Sequence, residues 1–414
     1  MFKLPQLSAS SKNILKVFTG TSLGQIIGLV SLPLLLKYFS KTDIGLLDLY
    51  ISLVGTFSVI SAFKLELAIV LPKKEKDADG VLALSYLALA LFIAVLSVIF
   101  FTCGVWFLHL LNALKLKPYL LLIIAGIALK GIKEINCQLL IRHKRFGLFS
   151  QSTVIETTVF RITPVLIALL ISNSLIYLLL SFLTGAVTAN LYIFLRFTKK
   201  HRPDFTNSWS MLKKYLKIPF INTASVLLNT FSIHIPVYLV AAKFGAEMVA
   251  IYGLANRGIN LPMNLISRSF RRVFYQEATE LYHKTKDFTA LIYKYIKKIT
   301  LLMLFPLVIV ILFAPLAVDL FFGAEFVLSG KIARFMIGYV FLRSITSPLS
   351  VSFLIVNRQE IGLVMIIFSI IIRTGAMLYF SASFINMMIA LTISAGAFYL
   401  IYLLIMIKTV KNSS

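Results

Sequence analysis

"SAFKLELAIVLPKKEKDADG", residues 61–80, puts a lysine and a glutamate two positions apart inside an apolar run, then breaks into a charged patch. What that run is depends on its surroundings. The 414-residue chain is 59% hydrophobic and 14% charged, whereas soluble domains carry about 25% charged residues. A mean hydropathy of +0.91 belongs to a membrane protein. Apolar stretches recur from one end of the chain to the other, leaving no room for a large soluble domain. The stretch therefore reads as the inner end of a membrane span running into a cytoplasmic loop.

A spanning helix needs about 20 mostly apolar residues. Twelve runs meet that need: 17–39, 44–71, 81–106, 118–141, 148–171, 175–197, 218–242, 248–269, 299–322, 332–356, 361–380 and 384–407. Transmembrane barrel strands are short and alternate polar with apolar residues, so a barrel is excluded. The first run is too long for a signal-peptide core and lacks a small-residue cleavage site, so it is expected to be retained as a helix. With the N-terminus in the cytoplasm, 27 Lys/Arg fall on the inside, six on the outside and eight within spans. The positive-inside rule then places both termini in the cytoplasm. That rule, rather than nucleic acid, accounts for the net charge of +25.

The longest polar segment before the seventh run divides the chain near residue 207, predicting six helices in 1–207 and six in 208–414. "PLLLKYFSKTDIGLLDLY" resembles "PVYLVAAKFGAEMVAIYGLA", each running from a mid-helix proline across a short outside loop into the next helix. The expected fold is an all-α polytopic membrane protein, its two halves forming a parallel repeat around a central cavity. A second polar segment, 268–298, reads as an amphipathic surface piece on anionic lipid.

Charges inside spans are expensive in lipid and should face the bundle interior or a water-filled cavity. The basic set is Lys64, Lys130, Lys133, Arg161, Arg257, Arg334, Arg343 and Arg373; the acidic set is Asp48, Glu66, Glu134, Glu156 and Asp319. Arg334 sits near an outer end and is expected to bond helix-end carbonyls or snorkel to an interface. Arg257, Arg343 and Arg373 lie deep in a half almost without acids, which suits an anionic substrate. Lys130 and Glu134 are four apart and are expected to pair locally; Glu156 and Arg161, five apart, align less well. A carboxylate released from such a pair would suit H+ or Na+ coupling, with Asp48, Glu66, Glu134 and Glu156 as candidates. Gly20, Gly24 and Gly28 form a small-residue face on the first helix. Prolines such as Pro33, Pro164, Pro306 and Pro348 mark expected breaks.

There is no phosphate-binding glycine loop, no metal-ligand cluster and no nucleophile elbow, and the five histidines are scattered. Cys103 and Cys137 both fall in apolar runs and give no disulfide framework. The chain reads as a transporter without a catalytic group, cofactor or metal, rather than an enzyme.

"LGQIIGLVSLPLLLKYFSKTDIGLLDLY" followed by "FKLELAIVLPKKEKDAD" resembles the N-terminal signature of Wzx-type O-antigen flippases, of the multidrug/oligosaccharidyl-lipid/polysaccharide exporter superfamily. "FGAEMVAIYGLANRGINLPMNLI", "VFYQEATE" and "SPLSVSFLIVNRQEIG" extend the resemblance over nearly the whole chain. It implies a MATE-like fold in the bacterial inner membrane and alternating access. The substrate implied is an undecaprenyl-diphosphate-linked oligosaccharide, an O-antigen or capsule repeat unit moved from the cytoplasmic to the periplasmic leaflet. Membrane lipid and the pathway's polymerase and chain-length proteins are the implied partners. Arg257, Arg343, Arg373, Lys64 and Lys130 are the expected anion-binding residues. A multidrug exporter of the same superfamily is expected to favour carboxylates for cationic drugs, against the basic excess here. A membrane-embedded polymerase or glycosyltransferase needs a sizeable outside loop, and none is present.

Lys64 and Glu66 return the reading to its start. On a continuous helix they point about 200° apart, so each is expected to need its own partner, with Glu134 or Arg161 as possible mates. Lys73 lies nine residues further on, roughly 13 Å along such a helix, too far for Lys64 to reach the surface easily.

Overall fold

In the computed structural model, residues 23–412 are described, with 25, 29, 202, 207 and 216 excepted. Among them the chain is helical throughout, with no strand. The start of the first run, including Gly20, lies outside these residues. Two compact units emerge, Met1–His234 and Ile235–Ser414.

The first unit carries α1 (Leu32–Tyr38), α2 (Lys41–Ser58), a 3-10 helix (Leu65–Val70), α3 (Glu75–Leu110), α4 (Leu120–Arg142), α5 (Phe146–Leu170), α6 (Leu175–Arg196) and α7 (Ser208–Tyr215). α8 (Lys217–Thr285) begins here and continues into the second unit. That unit holds α9 (Thr289–Phe322), α10 (Val327–Leu349), α11 (Ser352–Ile355), α12 (Gln359–Tyr379) and α13 (Phe384–Lys411). Among the described residues, eight helical stretches are long and apolar enough to cross a membrane by length and composition. One of them, Thr223–Asn264, contains parts of two of the twelve apolar runs. α1 is short among the described residues. α2 carries Lys41, Asp43 and Asp48, and α4 carries Lys130, Lys133 and Glu134, so their composition is less apolar. The chain is a multi-pass membrane protein.

Local chemistry sets several boundaries. Pro33 stands in the first turn of α1, and Ser31 before it keeps helical backbone; Pro164, Pro306 and Pro348 lie inside helices that run on through them, so the breaks expected at these prolines are not seen. Ser40 caps α2, its Oγ accepting from the Asp43 amide at 3.1 Å. The expected span 44–71 is shorter than predicted. α2 stops at Ser58, residues 59–64 turn, and Phe63 and Lys64 take left-handed φ values of 50° and 57° before the 3-10 helix begins. Left-handed backbone costs roughly 1–2 kcal/mol for a residue other than glycine, so tertiary contacts must hold this turn. Arg142, at the end of α4, is one such contact. Its Nη1 donates to the carbonyls of Ile69 (3.0 Å) and Pro72 (2.8 Å), and its Nη2 pairs with Glu75 at 3.1 Å.

The first unit's helices pack closely at α5 and α6. A Cβ on Gly185 of α6 would stand 2.7 Å from the Glu156 carbonyl oxygen of α5. Only glycine permits that approach, and it fixes the α5 backbone at Glu156. The expected small-residue face of the first helix also packs on α5. A Cβ added at Gly24 would stand 3.1 Å from the Thr157 hydroxyl, and one at Gly28 would stand 3.7 Å from the Arg161 guanidinium.

α8 breaks at Gly245, whose φ of 78° and ψ of −178° exclude a helical residue. The eighth run, expected to end at 269, instead continues as helix to Thr285. The surface segment is thus the end of a helical hairpin. Phe274 stacks edge-on against Phe288 (6.3 Å) and Tyr295 (5.1 Å), closing its interior. Asp287 caps α9 by accepting from the Thr289 amide at 2.8 Å. Within this unit hardly any of the apolar stretch of α9 is buried, whereas more than half of the apolar stretch that runs through α10 is buried. α9 thus faces outward, and α10 is the inner helix that carries Arg343.

Candidate functional site

Spanning helices concentrate the chemistry here into a few charged and amide side chains. Arg343, on α10, donates through Nη2 to the Asn260 carboxamide oxygen and lies 3.5 Å from that of Asn264. Asn260 in turn donates to the Asn256 side-chain oxygen at 2.5 Å and to its backbone carbonyl at 2.7 Å. Asn256, Asn260 and Asn264 are four residues apart, so α8 presents them as a ladder on one face. The ladder holds Arg343 with neutral oxygens. Among the described residues no carboxylate pairs with Arg343, so its full positive charge is kept.

Tyr252 and Tyr339, both buried, lie beside each other and within reach of the charges of Arg343 and Arg373. Arg373 donates through Nη1 to Ser369 at 3.3 Å. Two of the three expected deep arginines are therefore brought to one neighbourhood of the second unit. Arg257 follows Asn256 on α8 and is half-buried. Arg334 bonds a helix carbonyl as expected, donating to Leu312 at 2.9 Å.

The first unit neutralises its charges differently. Lys64 and Glu66 pair with each other at 3.0 Å, both buried. The expectation that they point apart is overturned, because the left-handed turn replaces the continuous helix that expectation assumed. Lys130 does not pair with Glu134, which is exposed. Instead Lys130 and Lys133 of α4 both pair with Glu156 of α5, one on each carboxylate oxygen. The ammonium of Lys130 also lies 5.2 Å from the Phe182 ring centroid. Arg161 stacks over Phe160 at 4.6 Å rather than joining Glu156. Asp48 is buried on α2.

Sequence reading missed the asparagine ladder, the Tyr252–Tyr339 pair and the capping role of Arg142. The ladder had a visible signal: three carboxamides at four-residue spacing beside Arg257, in "ANRGINLPMN". Reading by formal charge passes over neutral amides.

Comparison with solved structures places this arrangement in a known fold. The chain is similar to the lipid II flippase MurJ in an inward closed conformation, with a TM-score of 0.77 at 17% identity, over 96% of this chain and 90% of that one. It is similar to an inward-facing multidrug resistance MATE family transporter of the MOP superfamily, with a TM-score of 0.64 at 16% identity, over 96% of each chain. A MOP superfamily transporter from Pyrococcus furiosus, described by a reversed polarity of its binding pocket, matches with a TM-score of 0.61 at 16% identity, over 97% and 96%. These likenesses are of fold. No curated protein matches the chain. The family described as polysaccharide biosynthesis protein matches residues 13–330, and the chain belongs to that family.

Proposed function

We propose that the chain is a flippase of the Wzx type. It carries an undecaprenyl-diphosphate-linked oligosaccharide, an O-antigen or capsule repeat unit, from the cytoplasmic to the periplasmic leaflet of the bacterial inner membrane. Both termini stay in the cytoplasm, and two six-helix halves, 1–207 and 208–414, alternate access without covalent chemistry. The observation that carries this reading is Arg343, held by the Asn260 and Asn264 carboxamides. A buried arginine paired with a carboxylate is spent on structure; one held by amides keeps its charge for an anion. Guanidinium matches phosphate geometry with two parallel donors, and Arg373 and Arg257 add charge to the same unit. Membership of a polysaccharide biosynthesis family and a fold shared with a lipid II flippase support the substrate class. Coupling to an H+ or Na+ gradient is assigned to a first-unit carboxylate among Asp48, Glu66, Glu134 and Glu156.

Deletion of the gene tests the reading: lipid-linked oligosaccharide should accumulate on the cytoplasmic side. Arg343→Ala, Arg373→Ala and Arg257→Ala should not restore export, whereas Arg343→Lys should restore part of it. Full restoration by all three alanine variants would sink the anionic site. Drug sensitivity with normal surface polysaccharide would favour a multidrug exporter.

A further inference from the structure

The Lys130–Lys133–Glu156 cluster is not a balanced ion pair. Two ammonium groups share one carboxylate, leaving one net positive charge inside the first unit. Charge in a span is expensive, and a second lysine is not needed to neutralise one glutamate. The arrangement has the form of an occupied anion site. Lys130 takes Oε1 and Lys133 takes Oε2, as two cations would grip two oxygens of a phosphate. Lys133 and Glu156 are nearly covered, at 12% and 10% side-chain exposure, while Lys130 is open at 31%. An incoming anion would therefore meet Lys130 first. The α5 backbone cannot withdraw there, because Gly185 brings α6 against the Glu156 carbonyl. The carboxylate can leave only by rotating its own side chain.

We propose that the two lysines form a second phosphate subsite, and that Glu156 occupies it as an internal competitor when no substrate is bound. This rests on the reading of the chain as a carrier of a diphosphate-linked lipid. It adds an order of events within each unit's chemistry. The Arg343 site is open to an anion at rest, whereas the lysine site opens only when a phosphate displaces Glu156. Return of Glu156 then expels the phosphate. The glutamate is thus a release device: binding is weakened so that the substrate can leave.

The test uses full-length protein in lipid nanodiscs, with undecaprenyl diphosphate as the probe and binding followed by native mass spectrometry. Glu156→Gln should bind the probe roughly tenfold more tightly than wild type, about the worth of one charge-assisted hydrogen bond. Adding Lys130→Met should abolish the gain. Glu360→Gln, which changes net charge equally at an exposed position on α12, should give no gain. In cells Glu156→Gln should export poorly despite its tighter binding. If Glu156→Gln does not fold, Lys133→Met/Glu156→Gln keeps the cluster's net charge, frees Lys130 and should still bind more tightly than wild type. Unchanged or weaker binding in the folded variant overturns the proposal. If Arg343→Gln still weakens binding in that case, the flippase reading stands. If wild type binds no probe and Arg343→Gln changes nothing, the flippase reading itself has failed.

Discussion

Lys64 and Glu66 form a buried ion pair at 3.0 Å although only one residue separates them. A helix would hold them on opposite sides. The left-handed backbone at Phe63 and Lys64 folds one onto the other and ends α2 thirteen residues before the apolar run does. Removing one partner strands the other charge away from water, so Lys64→Met or Glu66→Gln should each destabilise the protein by about 3–5 kcal/mol. Lys64→Met/Glu66→Met removes both charges and should be milder than either single change. Thermal unfolding in detergent ranks the three variants. A double variant as unstable as the singles would mean that the turn depends on something other than the pair.

That pair also marks the limit of what could be read from sequence. Apolar run length read the chain as all-helical and multi-pass, because a bilayer imposes one length scale on its spans, but it did not fix their bounds: eight stretches among the described residues qualify. The faces of Gly24 and Gly28 and the carbonyl contact of Arg334 were legible because each follows from local geometry. Helical spacing pairs Lys130 with Glu134 because both lie on one helix, but its partner is 26 residues away. Only the packing of α4 beside α5 brings Glu156 within reach. Phe63 and Lys64 carry no residue type that favours a left-handed turn, so nothing in the sequence announced the break. The amides around Arg343 went unread for a different reason: they are polar without being charged.

Gly185 gives a test of the helix crossing that holds Glu156 in place. Its tightest neighbour is backbone rather than a flexible side chain: an added Cβ would sit 2.7 Å from the Glu156 carbonyl and 3.2 Å from the Phe160 nitrogen. Gly185→Ala should cost about 1–3 kcal/mol as an overpacked crossing. Gly185→Leu should largely abolish insertion of folded protein. Fluorescence-detected size-exclusion profiles before and after heating report both outcomes. A Gly185→Ala variant as heat-resistant as wild type would show that α5 can shift at this point.

The end of the first unit that carries His143 should loosen in acid. The His143 ring lies 4.4 Å from that of His201 and 5.2 Å from Phe197, tying the segment after α6 to the end of α4. Burial, then the charge of His201, pushes the His143 imidazole below its ordinary value; exposed Glu75 pulls it up less, Arg142 also lowers it, and Asp79 raises it least. A base whose pKa is lower folded than unfolded binds fewer protons when folded, so this docking strengthens with rising pH and weakens as pH falls below about 6.5. Hydrogen exchange across 197–206 should therefore be faster at pH 5 than at pH 7.5. His143→Phe keeps an aromatic ring and removes the proton, so it should flatten that difference. Equal pH dependence in wild type and His143→Phe would assign the effect to another group.

Asn260→Asp separates the charge of Arg343 from its position. The substitution changes little in size, and the new carboxylate meets the same Nη2 that the carboxamide oxygen now accepts from. The fold should be kept, with a thermal midpoint at or above that of wild type, because an amide contact becomes a charge-assisted one. Export should nevertheless fall by at least about tenfold, since a neutralised guanidinium loses roughly the worth of one charge-assisted hydrogen bond to an anion. Asn260→Ala makes the complementary change: Arg343 loses a neutral partner but keeps its charge, so part of the export should survive. The two variants are compared by thermal unfolding and by surface-polysaccharide staining in a deletion strain. Wild-type export from a folded Asn260→Asp protein would mean that the charge of Arg343 is not what the substrate meets.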